Sequence, residues 1–283
     1  MKIAMFPGQG CQYIDMGKEL LKKHQSYTDL ASNILGYSII DLCSGNFPFE
    51  LDTMSETIYS QPAIFVVSCL NFIEYQSTLE VNDIDICIGH SLGLFSALFA
   101  ANVFNFEQGL KIINKRASLM QKMSKGAMAA IIGDGIEKLQ QLLISNDLFD
   151  IDIANHNGPK QVVVSGPEDS IVKCKEIIEK NDMRYIRLAV SGAFHSRLMD
   201  PARIDFANYL VNIQFNDPKI KVISTTNAQE INLEFIIEEL SYQLVKPVRW
   251  HETILYLNKK FPNSTFLEFG PGSTLTGLNK YIL

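Results

Sequence analysis

The pentapeptide Gly89-His90-Ser91-Leu92-Gly93 constrains the fold of this chain more than any other segment. The apolar run 84–88 before it predicts a short buried strand, and the apolar stretch 92–101 after it predicts a helix. The two glycines permit a sharp strand-to-helix turn that pushes the Ser91 hydroxyl into the open, with the N–H of Leu92 pointing to where an oxyanion would form. A chance match is the alternative, because glycine and serine are common in turns. The strand–turn–helix context favours a nucleophilic serine.

The composition of the chain argues against several function classes. The 283 residues are 47% hydrophobic and 20% charged, which is typical of a globular protein with a large core and two lobes. The net charge is −6 and no lysine- or arginine-rich block is present, so we expect no nucleic-acid binding. Five scattered cysteines without C-x-x-C spacing predict a reducing compartment, with neither a structural metal nor a disulfide framework.

Two further features bear on localisation. The segment Met1–Pro7 is typical of a first strand and is too short for a signal peptide. The longest apolar stretch, 63–73, is too short to span a bilayer. We therefore expect a soluble, cytoplasmic protein that does not contact a membrane.

Strand-like and helical segments alternate along both ends of the chain, which predicts an α/β fold with a mainly parallel sheet. The predicted strands are 3–6, 84–88, 221–224 and 265–269, and the predicted helices include one from Met16, 62–76, one from Leu92, and 106–123.

The middle of the chain has a different pattern. It predicts the order β-α-β-β-α-β, with strands at 127–132, 151–154, 161–165 and 184–188 and helices at 135–145 and 168–181. This split β-α-β order forms a compact unit of its own. We therefore predict an α/β-hydrolase-like core of residues 1–125 and 190–283, with a small ferredoxin-like subdomain at 126–189 inserted into it.

A serine nucleophile needs a base. Five histidines are available: His24, His90, His156, His195 and His251. His195 lies in a loop of small residues, 191–196, at the return from the inserted lobe, where a cleft between two lobes would form. His156 and His251 remain alternatives. His24 follows two lysines on an amphipathic helix and is expected to be solvated, and His90 lies beside the serine rather than facing it.

An arginine lies on an otherwise apolar helix face. The stripe on the predicted helix 106–123 is Ile112, Arg116, Leu119 and Met123. A buried arginine cannot be neutralised by deprotonation and needs an anion. The partner is either a protein carboxylate, such as Glu107, or a substrate carboxylate held bidentately.

The segment Gly8-Gln9-Gly10 follows the first strand. It is not a dinucleotide fingerprint, because Tyr13 stands where the third glycine belongs, and it is not a phosphate loop. The N–H of Gln9 is a candidate second oxyanion donor, with an ordinary turn as the alternative.

Eight motifs recur in one enzyme family in the order found here. They are Phe6-Pro7-Gly8-Gln9-Gly10, Gly89-His90-Ser91-Leu92-Gly93, Arg116 followed by Met120-Gln121, Gly126-Ala127-Met128-Ala129-Ala130, Asn155-His156-Asn157-Gly158-Pro159 with Gln161, Gly192-Ala193-Phe194-His195-Ser196, Pro247-Val248-Arg249-Trp250 and Gly270-Pro271-Gly272. Over essentially its whole length the chain resembles malonyl-CoA:acyl carrier protein transacylases. The segments 157–161 and 98–104 resemble most the free-standing acyltransferases that serve modular polyketide synthases in trans.

The resemblance implies a role for each matching residue. Ser91 would be the nucleophile, His195 the base and Gln243 the residue whose backbone carbonyl orients that base. The N–H groups of Gln9 and Leu92 would form the oxyanion hole. The implied substrate-binding residues are Arg116, which would hold the malonyl carboxylate, with Gln61, His90 and Phe194.

One residue departs from the family pattern. Leu94 stands where the family commonly has Glu, which puts the local polar contacts of that helix start in doubt. Because Leu94 lies outside the set of Ser91, His195 and Arg116, we expect catalysis to be retained.

The resemblance implies ping-pong malonyl transfer from malonyl-CoA to an acyl carrier protein or carrier domain, by a monomer with no metal and no bound cofactor. Three alternatives remain: a hydrolase that clears acyl groups from carriers, the housekeeping transacylase of fatty-acid synthesis, and a non-catalytic docking partner in a synthase complex. Arg116 argues against the hydrolase, because a hydrolase of uncharged acyl groups has no use for a buried cation. The intact set of Ser91, His195 and Arg116 argues against the scaffold, which needs none of the three.

Overall fold

The computed structural model describes residues 1–46, 53–78, 83–123 and 125–283. Within them the strands are β1 (Lys2–Phe6), β2 (Ile86–Gly89), β3 (Ala127–Ile132), β4 (Asp152–Gly158), β5 (Gln161–Gly166), β6 (Arg184–Arg187), β7 (Lys221–Ile223) and β8 (Thr265–Glu268). The helices are α1 (Lys18–Lys23), α2 (Gln25–Leu35), α3 (Ile39–Ser44), α4 (Thr57–Ser77), α5 (Gly93–Ala100), α6 (Phe106–Lys122), α7 (Ile136–Ser145), α8 (Glu168–Glu179), α9 (Asp200–Leu210), α10 (Ile236–Tyr242), α11 (Trp250–Lys260) and α12 (Thr274–Asn279).

A parallel sheet with the strand order β7-β2-β1-β8 supports the larger part of the molecule. Strand β2 is fully buried, and β1 is buried apart from its first residue, because helices cover both faces. Helices α4, α5 and α6 pack together over one face, in a core that includes Phe6, Phe65 and Phe95. On the other face, Trp250 of α11 packs against Ile3 and Ile88.

A second, antiparallel sheet has the order β4-β5-β3-β6. Strand β3 lies between β5 and β6, as a split β-α-β unit requires, and helices α7 and α8 bury a separate apolar cluster with the sheet. The predicted α/β fold, with a parallel sheet and a small antiparallel sheet, is confirmed. All four strands fall inside the predicted subdomain 126–189, and the precise limits of that subdomain stay a prediction.

Several predicted boundaries differ from the observed ones. The helix predicted from Met16 is two short helices, α1 and α2, because the chain turns at His24. Helix α4 begins at Thr57 rather than near Pro62, so the proline lies inside the helix. Strand β4 extends to Gly158 instead of ending at Ala154, because its pairing with β5 continues beyond two register shifts of the β-bulge type.

Backbone hydrogen bonds join the small sheet to the larger part of the molecule. The N–H of His156 donates to the carbonyl of Val248 at 2.8 Å, and the N–H of Val248 donates to the carbonyl of Ala154 at 2.8 Å. These bonds tie β4 to the segment that precedes α11. They therefore fix one wall of the cleft between the sheets.

Three further observations concern surface and chemistry. Among the described helices, none combines the length and the hydropathy that crossing a bilayer requires. All five cysteines are buried free thiols. No cluster of three or more His, Cys, Asp or Glu side chains within the described residues is arranged to hold a metal ion.

Candidate active site

Ser91 lies at the tip of a sharp turn between β2 and α5, where it adopts a left-handed backbone conformation with φ of 51°. Glycine is required at positions 89 and 93, because neighbouring backbone atoms lie too close to leave room for a Cβ. A Cβ on Gly93 would lie 1.9 Å from the carbonyl oxygen of Phe6, and a Cβ on Gly89 would lie 2.0 Å from the carbonyl carbon of Gly93. The turn therefore holds Ser91 in a strained conformation that leaves its side chain partly accessible.

His195 lies beside the serine. Its Nε2 is 2.8 Å from Ser91 Oγ, and its Nδ1 is 2.8 Å from the carbonyl oxygen of Gln243 and 3.0 Å from that of Lys246. Because carbonyl oxygens only accept hydrogen bonds, Nδ1 carries the proton and Nε2 presents its lone pair to the serine hydroxyl. This tautomer is the one that a general base requires.

The environment keeps the imidazole neutral. His195 is 5% exposed, and burial, followed by the positive charge of Arg116, lowers its pKa to about 3. At neutral pH the ring is therefore uncharged and able to accept a proton.

Arg116 is completely buried on α6. Its Nη1 donates to Gln61 Oε1 at 2.6 Å, and its Nη2 is 3.2 Å from both Ser91 Oγ and Gln243 Oε1. Its Nε has no partner, and the guanidinium forms no ion pair with any of the described residues. Burial lowers the pKa of Arg116 to about 9, which leaves it cationic at neutral pH.

The protein carboxylate considered as a partner for Arg116 makes a different ion pair. Glu107 pairs with Lys111, with 2.6 Å between Oε1 and Nζ. The interpretation that Glu107 neutralises Arg116 is therefore wrong. Within the described part of the chain, the cation is held only by neutral oxygens, at hydrogen-bond distance from the serine.

Gln243 contributes more than its backbone carbonyl. Its side-chain Nε2 donates to the carbonyl of Ser91 at 2.9 Å, and its Oε1 accepts from Arg116. Sequence reasoning missed this side-chain role, and it missed the carbonyl of Lys246 as the second acceptor for His195. The only sequence signal was the position of both residues just before the motif Pro247–Trp250.

The two predicted oxyanion donors have free N–H groups. Within the described residues, neither the N–H of Gln9 nor that of Leu92 has a hydrogen-bond acceptor. The side chain of Gln9 donates to Thr57 Oγ1 at 2.7 Å and to Ser60 Oγ at 2.9 Å, which fixes the loop after β1. Both amides are thus available to a ligand.

A cavity of about 80 Å³ adjoins the serine. Its lining residues are Gln9, His90, Ser91, Met120, Met128, Asn155, Leu188, Val190, Phe194 and His195. The predicted residues Gln61, Arg116 and Gln243 lie directly behind this wall, hydrogen-bonded to Ser91 or to one another. His90 Nε2 is 2.8 Å from Asn157 Oδ1, a contact that connects the turn to β4.

The other histidines lie away from the serine. The rings of His156 and His251 are 4.7 Å apart, and His156 Nδ1 is 3.1 Å from Glu252 Oε1. His24, expected to be solvated, is instead only 15% exposed and lies 2.9 Å from Glu74. None of these three rings is hydrogen-bonded to Ser91, whereas His195 is within hydrogen-bond distance of its hydroxyl.

Leu94 is fully buried in the apolar core beneath α5. At this position the leucine packs in the core, where a glutamate would need polar partners. The turn at Ser91 remains intact.

A strained serine, a neutral histidine and two free N–H groups, on an α/β fold with a parallel sheet, define a class of enzyme built for acyl transfer. Residues 4–280 match the acyl transferase domain family, and the chain belongs to that family.

Known relatives agree with this assignment. The chain is 42% identical over 276 residues to a polyketide biosynthesis malonyl CoA-acyl carrier protein transacylase of Bacillus subtilis strain 168, covering 97% of this chain and 94% of the relative. A crystal structure of malonyl CoA-acyl carrier protein transacylase from Burkholderia pseudomallei is 39% identical, with a TM-score of 0.94 and coverage of 100% of this chain and 97% of that one.

A third solved structure shows a malonyl-transacylase, PlMCAT, in complex with AntF, a type II polyketide synthase acyl carrier protein. It is 31% identical to this chain, with a TM-score of 0.92 and coverage of 100% of this chain and 93% of that chain.

Proposed function

We propose that the protein transfers a malonyl group from malonyl-CoA to the phosphopantetheine thiol of an acyl carrier protein, through an acyl-serine intermediate on Ser91. One observation carries the proposal. Arg116 is a fully buried cation without an acidic partner among the described residues, and its Nη2 is 3.2 Å from Ser91 Oγ. A substrate carboxylate supplies the missing anion.

In the first half-reaction, Ser91 Oγ attacks the thioester carbonyl while His195 Nε2 takes the hydroxyl proton. The carbonyls of Gln243 and Lys246 hold the imidazole in the required orientation and stabilise the imidazolium as it forms. His195 then gives its proton to the departing CoA thiolate.

The tetrahedral intermediate needs donors that are in place before the reaction. The free N–H groups of Gln9 and Leu92 meet that requirement, since a backbone amide held by neighbouring structure needs no reorganisation when charge develops. Loss of one such donor typically costs about 10²–10³ in rate.

The malonyl carboxylate forms hydrogen bonds with Arg116 while the carbonyl reacts at Ser91. Gln61 and Gln243 fix the guanidinium plane from two sides, so little side-chain entropy is lost when the carboxylate binds. The cavity of about 80 Å³ admits a small acyl group, and the apolar Met128, Leu188 and Val190 limit the space for water.

In the second half-reaction the carrier thiol enters the same cavity. His195 removes the thiol proton, the thiolate attacks the acyl-serine carbonyl, and Ser91 leaves with the proton returned by His195. The acyl group departs on the carrier.

The similarity to the polyketide biosynthesis transacylase of Bacillus subtilis supports a role in supplying a polyketide synthase in trans. An acyl hydrolase is less well supported, because an uncharged acyl group leaves the Arg116 cation without an anion.

Intact-mass measurement tests the proposal directly. Incubation with malonyl-CoA should add one malonyl group, located on the peptide that contains Ser91, and an added holo carrier protein should remove it. Ser91→Ala should stay unmodified, while Ser96→Ala, in the helix that follows, should be acylated normally. Release of malonate to water at the rate of transfer would contradict acyl transfer, and a faster loading of fatty-acid carriers than of polyketide-synthase carriers would contradict the polyketide role.

A further inference from the structure

The side chain of Gln9 ties the loop after β1 to the first turn of α4. Its Nε2 donates to Thr57 Oγ1 at 2.7 Å and to Ser60 Oγ at 2.9 Å. The Thr57 hydroxyl donates in turn to Gln9 Oε1 at 3.0 Å. The N–H of Gln9, which has no acceptor within the described residues, is therefore placed by contacts that the side chain of the same residue makes with α4.

The same helix holds the cation beside the serine. Gln61 lies one turn after Thr57 on the same face of α4, because residues four apart in a helix are neighbours. Gln61 Nε2 is 3.4 Å from Thr57 Oγ1 and 3.3 Å from Gln9 Oε1. Gln61 Oε1 accepts from Arg116 Nη1 at 2.6 Å. A continuous series of hydrogen bonds therefore connects Gln9 to the guanidinium.

Water has little access to the centre of this network. Thr57 is 1% exposed, and Gln61 and Arg116 are completely buried. Hydrogen bonds are electrostatically stronger in such surroundings, and buried polar networks make their members rigid. The hydroxyl of Thr57 lies within hydrogen-bond distance of both glutamine amides, which places it at the centre of the series.

We propose that Thr57 is a positioning residue that sets the separation between the oxyanion donor and the carboxylate-binding cation. This inference rests on the proposed function, which assigns the N–H of Gln9 and the guanidinium of Arg116 to the two ends of a malonyl group. One methylene separates the carboxylate from the thioester carbonyl, so both ends can bind at once only if the two donors are held a fixed distance apart. Thr57 holds that distance through its hydrogen bonds with Gln9 and Gln61.

The two acyl groups should respond differently to the loss of this hydroxyl. A malonyl group anchored at Arg116 cannot follow an oxyanion donor that has moved. An acetyl group has no anchor at Arg116 and can shift with the donor. Thr57 therefore matters more for malonyl loading than for acetyl loading.

The Thr57→Val variant removes the hydroxyl and keeps the shape of the side chain. The maximal rate of malonyl loading, followed by intact mass, should fall about 10-fold, which is less than the loss of about 10²–10³ caused by removing a donor, because the N–H of Gln9 is still present. The maximal rate of acetyl loading should fall only about 2–3-fold, and KM for malonyl-CoA should stay within about twofold, because the guanidinium remains in place. Thr57→Ser, which retains a hydroxyl, should restore both rates.

Thr28→Val is the matched control. Thr28 is also 1% exposed, and its hydroxyl donates to the carbonyl of Leu21 at 2.8 Å in a helical segment outside the site. This variant loses a buried hydrogen bond of the same kind, so it should lower the melting temperature by a similar amount and leave both loading rates unchanged. Thr57→Ala removes the same hydroxyl without placing a methyl group against the two amides, and it carries the same expectations as Thr57→Val.

Several results would overturn the inference. They are an unchanged malonyl rate in Thr57→Val and Thr57→Ala, an equal fall in the rates for both donors, a rise in KM with an unchanged maximal rate, and a Thr57→Ser variant as slow as Thr57→Val. In each case the wild type would still load malonyl, so the proposed function would stand. Failure of the wild-type protein to load malonyl would contradict the proposed function itself, and the inference with it.

Discussion

Replacing Arg116 distinguishes between two roles that a buried arginine can have: binding a substrate carboxylate and stabilising the fold. The Arg116→Met variant keeps most of the side-chain volume and removes the charge. If the guanidinium holds a malonyl carboxylate by two charge-assisted hydrogen bonds of about 1.5–3 kcal/mol each, the variant loses about 3–6 kcal/mol of interaction with the substrate. At about 1.4 kcal/mol per factor of ten, malonyl loading should fall by about 10²–10⁴-fold.

The free energy of unfolding of Arg116→Met should change much less than its malonyl loading. Removal of the guanidinium leaves Gln61 Oε1 and Gln243 Oε1 without their donor, at a cost of about 1–3 kcal/mol each. It also relieves the burial of a cation that no described carboxylate neutralises, which is worth several kcal/mol in the opposite direction. We therefore expect a melting temperature close to that of the wild type.

The assay measures the loading rates by intact mass, with malonyl-CoA and acetyl-CoA as donors. The quantity compared between variants is the ratio of the malonyl rate to the acetyl rate. Arg116→Met should lose malonyl loading while keeping or gaining acetyl loading, because an acetyl group needs no counter-ion. Arg184→Met, at an exposed arginine on β6, should leave the ratio unchanged. Loss of both activities in proportion in a folded protein, or a large drop in melting temperature, would refute the reasoning and make Arg116 a structural residue.

Other predictions follow from the same geometry. His195→Ala should slow acylation by about 10²–10⁴-fold, whereas His156→Ala should be nearly normal, and the reverse result would identify a different base. Because burial and Arg116 lower the pKa of His195 to about 3, wild-type acylation should stay flat between pH 8 and about 5, and a fall with a midpoint near 6.5 would contradict a buried neutral base. Partial burial opposes ionisation of Glu252, but its contact with His156 lowers its pKa from 4.5 to about 2 overall. The stabilisation is therefore complete above about pH 4.5 and is lost as the pH falls towards 2. After allowance for solvent exposure, Glu252→Gln should reduce the free energy of unfolding by about 1–2 kcal/mol at pH 7 and by less at pH 3, as measured by denaturant titration. An equal loss at both pH values would contradict a stabilising carboxylate at this position.

The local parts of the architecture could be predicted from the sequence. The turn at Ser91 is encoded by two glycines whose backbones approach neighbouring carbonyls within van der Waals distance, a requirement that only glycine meets. The small sheet was predictable because its strands and helices alternate with distinct periodicities over a short segment. Predicted boundaries failed where tertiary pairing continued an element, as in the extension of β4 beyond Ala154.

The polar environment of the site was less predictable. The side chain of Gln243 reaches the backbone of Ser91 across 152 positions of sequence, and no periodicity encodes such a contact. The sequence did place Arg116 on an apolar stripe, but whether a carboxylate neutralises it depends on every element packed around α6. The structure was needed to show that the neighbours of the guanidinium are Gln61, Gln243 and Ser91.

The same cation links substrate selection to the chemistry at the serine. In the unliganded site, burial and the charge of Arg116 together disfavour protonation of His195. A malonyl carboxylate bound as proposed would neutralise Arg116, so the second of these effects would be removed and the imidazole would become a stronger base with a carboxylated substrate. An acetyl group brings no such charge, so it lacks both the contact with Arg116 and the gain in basicity at His195. Removal of the cation should therefore keep or raise acetyl loading while it lowers malonyl loading, which is why the ratio of the two rates, rather than either rate alone, is the decisive measurement.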